Sequence, residues 1–218
     1  VRLAALALLA TPLAAQEFVE VPGRLSDEAF YRAVACGAPP EGACRKPFLL
    51  WPEEMRADLT VGLASAPDDL PPFRRRLFET GVEGAIAEIN GLGAGLRLRR
   101  DDIAPAIEIH IVDTPPWGVM TRTGVPLLDG ALLPLALVVL RPREGAIGEA
   151  LIAISAEARR REIASVLLEE ITQSLGLMTD IAGPAYDRSL FSETGNSVTR
   201  LTGQDAMAVR RHYPPFDD

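Results

Sequence analysis

Two carboxylates and an amide share the stretch "LLEEITQSLGL" at 167–177, with Glu169 and Gln173 four residues apart and Glu170 beside the first. Side chains at that spacing project from the same side of a helix. They suit two ligands of one metal ion or water, while the adjacent carboxylate handles a proton. Gly176 is a residue type that ends helices, and Thr179 and Asp180 follow it as a third source of oxygen donors. Zinc favours Cys sulfur, His nitrogen and carboxylate oxygen, so glutamine and threonine are poor zinc ligands. The chain has two histidines, His110 and His212, and no set of three can be assembled. Carboxylates with an amide suit calcium or magnesium better than zinc.

Other chemistries find less support. Glu169 and Glu170 are adjacent on a helix and diverge by about 100°, so they are not the facing carboxylates of a glycosidase. The chain has no G-x-S-x-G elbow, and "NGLGAGL" at 90–96 lacks the spacing of a phosphate-binding loop and reads as a turn. His110 reads as a hydrogen-bonded sheet residue, with orientation of a water as its functional alternative. His212 stands in a basic helix end, where a positive charge complements the helix dipole, and reads as structural.

The elements that position these groups follow from hydrophobic period. "RADLTVGL", "GLRLR", "AIEIHIVD", "LALVVLR" and "EALIAIS" read as five strands. The third places Ile107, Ile109 and Ile111 on one face and Glu108 and His110 on the other. "FRRRLFETGVEGAIAEINGLG" carries Leu77, Val82, Ile86 and Ile89 at helical spacing. Ser155 is a candidate N-cap for a second long helix running to about Leu175, with Glu157 in its first turn. On that helix Glu169, Gln173 and Gly176 face away from the apolar stripe, and Glu170 lies on the border. The stretch 113–134 has no period and reads as a surface flap anchored by Trp117 or as a binding loop.

Composition sets the surroundings. At 218 residues and 48% hydrophobic content the chain can bury a sizeable core, and a net charge of −8 argues against nucleic acid as a partner. "VRLAALALLATPLAAQEF" has the build of a secretory signal peptide with cleavage near Ala15, and is too short and too broken by Pro12 to span a membrane. Export would place Cys36 and Cys44, in "CGAPPEGAC", in an oxidising compartment. A bridge closing that loop stabilises by about 2 to 3 kcal/mol. We therefore divide the chain into a leader (1–15), an N-terminal segment with the cysteine loop (16–55) and a domain (56–218), periplasmic or secreted and without a transmembrane anchor.

The order of these elements resembles the zincin fold of matrixin-like metalloproteases. "EEITQSLGLMTD" aligns with the H-E-x-x-H-x-x-G-x-x-H helix and turn of those enzymes, "SLFSE" (189–193) with their methionine turn, and "LTGQDAMAVRRHYPP" (201–215) with their terminal helix. The cysteine loop, "EEITQSLGL" and "SLF" are similar to a bacterial family termed domain of unknown function 2927. The resemblance implies a mixed α/β fold: a mostly parallel five-stranded sheet, two long helices and a C-terminal helix. It puts Glu169, Gln173 and Thr179, with Asp180 beside it, at the three metal positions, Glu170 at the general base and Phe191 at the methionine. It also implies that a peptide strand adds to the sheet edge, for which "LALVVLR" is the candidate.

Two functions are compatible with these departures. In one, the chain is an exported, catalytically inactive module that binds a peptide, protein or cell-envelope component in the former substrate cleft, with no cofactor. In the other, Glu170 is the general base of an atypical hydrolase. Glu169, Gln173, Asp180 and His110 then orient water or hold a hard cation.

Overall fold

In the computed structural model, which describes residues 13–14, 17–195 and 197–216, the first elements are two short strands, β1 (Leu13–Ala14) and β2 (Glu17–Glu20). The expected leader lies outside the described residues except for the backbone of Leu13 and Ala14. The Ser26 hydroxyl then accepts from the Ala29 N–H at 3.2 Å and caps α1 (Asp27–Cys36). Gly37, at φ 66°, ends that helix in the left-handed region. Cys36 and Cys44 form the expected disulfide, with Cα atoms 5.1 Å apart.

One turn, α2 (Glu53–Arg56), leads into β3 (Leu59–Ser65). Pro72 starts α3 (Pro72–Asn90), where its missing N–H costs nothing, and Phe78, Val82, Ala85 and Ile89 form the buried stripe. The Asn90 side chain exchanges two hydrogen bonds with the backbone of Leu98, at 2.8 and 2.9 Å, and ties α3 to β4 (Leu98–Arg100). There follow β5 (Ile107–Val112), β6 (Gly118–Val119), β7 (Leu132–Leu133), β8 (Ala136–Arg143) and β9 (Ala146–Ser155). After them come α4 (Ile163–Gln173), β10 (Thr179–Ala182), a 3-10 turn (Pro184–Tyr186) and α5 (Gly203–His212).

The main sheet has the order β1-β8-β9-β5-β3-β4. The β9-β5, β5-β3 and β3-β4 pairs are parallel, and β8 pairs antiparallel with β9. The mixed, mostly parallel sheet read from the sequence is therefore present, with β1 as a two-residue sixth strand. Glu144 and Gly145 join β8 to β9, both at positive φ, as a tight two-residue hairpin turn requires. Pro142 lies inside β8 at a register shift, a position in a ladder that tolerates the lack of an N–H.

Each face of the sheet carries its own core. Ile107, Ile109, Ile152, Ile154 and Val138 pack with α3 and α4. Leu137, Val139, Leu151 and Ala153 pack on the other side against Met120, Leu128 and Leu133. The periodless stretch 113–134 thus forms the cover of a second core and pairs with itself through β6 and β7. Trp117 does not anchor it: the indole is 70% exposed and Met120, Leu128 and Leu133 are the buried contacts.

The helix expected from Ser155 begins eight residues later. The Ser155 hydroxyl donates to the Thr114 carbonyl at 2.6 Å and accepts from the Glu157 N–H, while the Arg74 guanidinium donates to the carbonyls of Ala156 and Ala158. Those carbonyls are consumed by tertiary bonds, and the helix starts only beyond them. In the N-terminal segment, β2 pairs in parallel with β10, and Phe30 of α1 stacks on Tyr186, so these residues share the core of the rest. Among the described residues no helix is long and apolar enough to cross a membrane.

Candidate functional site

One face of α4, carrying Val166, Glu169 and Glu170, with Glu162 just before the helix, forms the floor of a cleft of about 640 Å³. The walls are Pro116 and Trp117, the segment from Pro134 to Ala136 that enters β8, Asp180 of β10, and Ser192 and Glu193. Glu169, Glu170 and Asp180, named from the sequence, therefore converge, and the long stretch 113–134 borders them through Trp117.

Gly176 makes this convergence possible. Its φ is +104°, and a Cβ there would stand 2.0 Å from the Leu49 carbonyl oxygen, so only glycine lets the chain turn back under α4. Beyond the turn, the Ile181 N–H donates to the Phe191 carbonyl at 2.7 Å and the Glu193 N–H to the Ile181 carbonyl at 3.1 Å. This zips residues 189–193 onto β10. Asp205 of α5 holds the same turn, accepting from the Ser189 hydroxyl at 2.6 Å and the Leu190 N–H at 2.8 Å. Phe191 itself is fully buried against Phe30.

The sequence left Thr179 and Asp180 open as alternatives, and strand alternation decides between them. Asp180 faces the cleft. Thr179 is fully buried on the other side, where its hydroxyl has no hydrogen-bond partner among the described residues. Gln173, expected to face solvent, is 5% exposed, and its amide donates to Asp180 Oδ1 at 3.0 Å. It orients that carboxyl from behind instead of lining the cleft. Glu170, expected at the border of the apolar stripe, is 8% exposed.

Burial governs the electrostatics. Desolvation raises the pKa of Glu170 well above the ordinary carboxylate range, and the charges of Glu169 and Asp180 push it further in the same direction. Desolvation, then Glu193, raises Asp180 to about 7, against the opposing pull of the Gln173 amide and Lys46. Glu193 is raised by desolvation as well. These influences favour the protonated form of Glu170, whereas the sequence suggested a base. Among the described residues no three His, Cys, Asp or Glu side chains are grouped to hold a metal ion.

His110 is not part of this site. It lies on the opposite face of the sheet from α4, hydrogen-bonded to Ser65 Oγ at 2.8 Å and Glu108 Oε2 at 3.1 Å. His212 is structural as expected, but for a different reason. It is 1% exposed, its Nε2 bonds the Leu49 carbonyl and its Nδ1 the Tyr31 hydroxyl. Desolvation lowers its pKa to about 4, so it is neutral at pH 7 and brings no charge to the helix dipole.

Glu193 was not recognised in the sequence as a site residue, whereas the wall residues Pro134 to Ala136 fall at the end of the expected flap or binding loop and the start of the expected edge strand "LALVVLR". Glu193 closes the "SLFSE" turn that lies against β10, and a turn expected near the motif helix was the available signal for it.

No curated protein matches the chain. Residues 132–216, which include α4, β10, the 189–193 turn and α5 and so supply most of the cleft, match the family model described as "Protein of unknown function (DUF2927)".

Proposed function

We propose that this is an exported, zincin-like domain whose cleft binds an extended peptide or a peptide-bearing component of the cell envelope, without catalysis. The observation that carries the reading is the pairing of β1 with β8. The backbone of Leu13 and Ala14 adds antiparallel to Leu140 and Val139, so the β8 edge already accepts an extended strand. That strand runs toward Ala136, where the cleft opens. The antiparallel edge strand beside α4 and the glycine-terminated motif helix support the zincin likeness. Cleavage near Ala15 removes Leu13 and Ala14 and frees the edge for a ligand.

The test is retention of extended peptides and cell-wall fragments by the chain with and without residues 1–15. Retention should be stronger without the leader, and N-methylation of alternate peptide bonds should abolish it, because main-chain hydrogen bonds carry strand addition. Failure of the leaderless chain to retain any of these probes would refute the reading.

A second reading, an atypical hydrolase, is favoured by one feature: Glu170 is a buried, cleft-lining carboxyl whose pKa is raised by desolvation and by the charges of Glu169 and Asp180. Turnover in the same screen that disappears in Glu170→Gln would establish it in place of the first.

A further inference from the structure

We infer that Ser65, His110 and Glu108 form a second site, in which Ser65 is the nucleophile that hydrolyses carboxylic esters of short acyl groups. The site lies on the face of the sheet opposite α4 and is independent of what the cleft binds.

The three side chains are joined in series. The Ser65 hydroxyl stands 2.8 Å from His110 Nδ1, and His110 Nε2 stands 3.1 Å from Glu108 Oε2. A carboxylate only accepts hydrogen bonds, so Nε2 carries the ring proton and donates it to Glu108. Nδ1 is then left to accept from the Ser65 hydroxyl. A nucleophile bonded to a base, and the base bonded to a group that orients it, is the arrangement that activates a serine. Ser65 is exposed and open to a substrate, whereas His110 is only 4% exposed and shielded from bulk water.

A local irregularity brings the serine there. Val61 and Leu63 of β3 face the core formed with α3 and α4, and unbroken alternation would put Ser65 on that side too. Instead Leu63 is in register with Ile109 and Ser65 with His110, which leaves Ala64 as the extra residue of a bulge. The bulge turns Ser65 to the face that carries Glu108 and His110. Its chain neighbours Ala64 and Ala66 give a long acyl chain no apolar wall, hence the short acyl group.

Topology marks the same place. In the order β9-β5-β3-β4, β3 connects through α3 to β4 on one side, and β5 connects through 113–134 to β8 on the other. The two connections cover opposite faces of the sheet. Neighbouring parallel strands whose connections part in this way open a crevice at their carboxyl ends, where open α/β sheets bind ligands. Ser65 is the last residue of β3, and His110 stands two residues before the end of β5.

In the reaction Ser65 Oγ attacks the ester carbonyl carbon while its proton passes to Nδ1, and Glu108 holds the resulting imidazolium at Nε2. The bond from the acyl carbon to the alkoxide breaks, and Nδ1 returns the proton to the departing alcohol. Water then attacks the acyl-serine, giving a proton to Nδ1 that Ser65 Oγ recovers as the carboxylic acid leaves.

The experiment treats the full chain with a fluorophosphonate probe, locates the adduct by peptide mapping, and follows p-nitrophenyl acetate in parallel. Ser65 should carry the probe, and p-nitrophenolate should appear in a burst of about one equivalent before slower turnover. Ser65→Ala should abolish both. Glu108→Gln, which removes the charge and keeps an acceptor, should slow labelling of Ser65 by about 100-fold or more. Both variants are checked for an unchanged fold by circular dichroism, and labelling of the wild-type chain decides the question even if one of them misfolds. A serine that merely satisfies a buried imidazole does not react. Wild-type Ser65 left unlabelled, a burst that survives Ser65→Ala, or labelling of Glu108→Gln at the wild-type rate would each overturn the inference.

Discussion

Replacing Asp180 by asparagine should make the protein more stable at alkaline pH than at acid pH relative to wild type. In the folded chain the Asp180 carboxyl titrates near 7, against an ordinary value of 3.8 that also describes the unfolded chain. The folded state therefore holds the proton more tightly. Below pH 3.8 both states are protonated and the group is neutral with respect to stability; as pH rises toward 7 the folded state is progressively disfavoured. At 1.36 kcal/mol per pH unit the full effect is about 4 kcal/mol, of which about 2.5 kcal/mol falls between pH 5 and pH 8.

Asparagine keeps the Oδ1 that accepts from Gln173 and removes the charge. His212 acts in the opposite direction. Its folded pKa of about 4 lies below the ordinary 6.5, so its contribution is complete above 6.5 and is lost as pH falls to about 4. Because His212 is common to both proteins, it cancels from the difference between them. Urea denaturation of wild type and variant at pH 5 and pH 8 measures that difference without added ionic screening. The variant should gain about 2.5 kcal/mol over wild type between the two pH values. A difference that stays constant within about 0.5 kcal/mol would show that Asp180 is solvated, and the electrostatic account of the cleft would fall with it.

Thr179→Val should raise stability by about 1 kcal/mol in the same assay, since the buried hydroxyl it replaces has no partner among the described residues; a loss of stability would mean that the hydroxyl is bonded. Gly176→Ala should give little folded protein, because its Cβ would overlap the Leu49 carbonyl and its φ of +104° is unfavourable for any side chain; normal expression and melting would contradict the turn geometry. Tyr213→Phe should cost about 3 kcal/mol by stranding the buried Leu175 carbonyl and Trp51 N–H that the hydroxyl now serves. Reducing the Cys36–Cys44 bridge should lower stability by about 2 to 3 kcal/mol, readable as a shift of the urea midpoint with dithiothreitol.

The residues that write a period into the chain were legible without coordinates. Ile107, Ile109 and Ile111 alternate because one face of a strand is buried, and α3 was readable from the helical spacing of its apolar residues. The mostly parallel sheet followed from the order of such segments. So did the cysteine bridge, because a nine-residue loop rich in glycine and proline brings its own ends together.

Long-range contacts decided the rest. The start of α4 was misplaced because Arg74 and Thr114, distant in sequence, bind Ser155 and the carbonyls after it and hold residues 156–162 out of the helix. Stretch 113–134 looked like free loop because its buried anchors, Met120, Leu128 and Leu133, follow no period and pack on a sheet face that only the folded chain presents. Gln173 and Glu170 looked amphipathic on the wheel, yet β10 and the 189–193 turn fold over them. Burial and neighbouring charge then shift Glu170 toward its protonated form, against the expectation of a base. Side-chain direction along a helix or strand is a property of local backbone geometry, whereas desolvation depends on what the rest of the chain lays across it, and no spacing of residues encodes that.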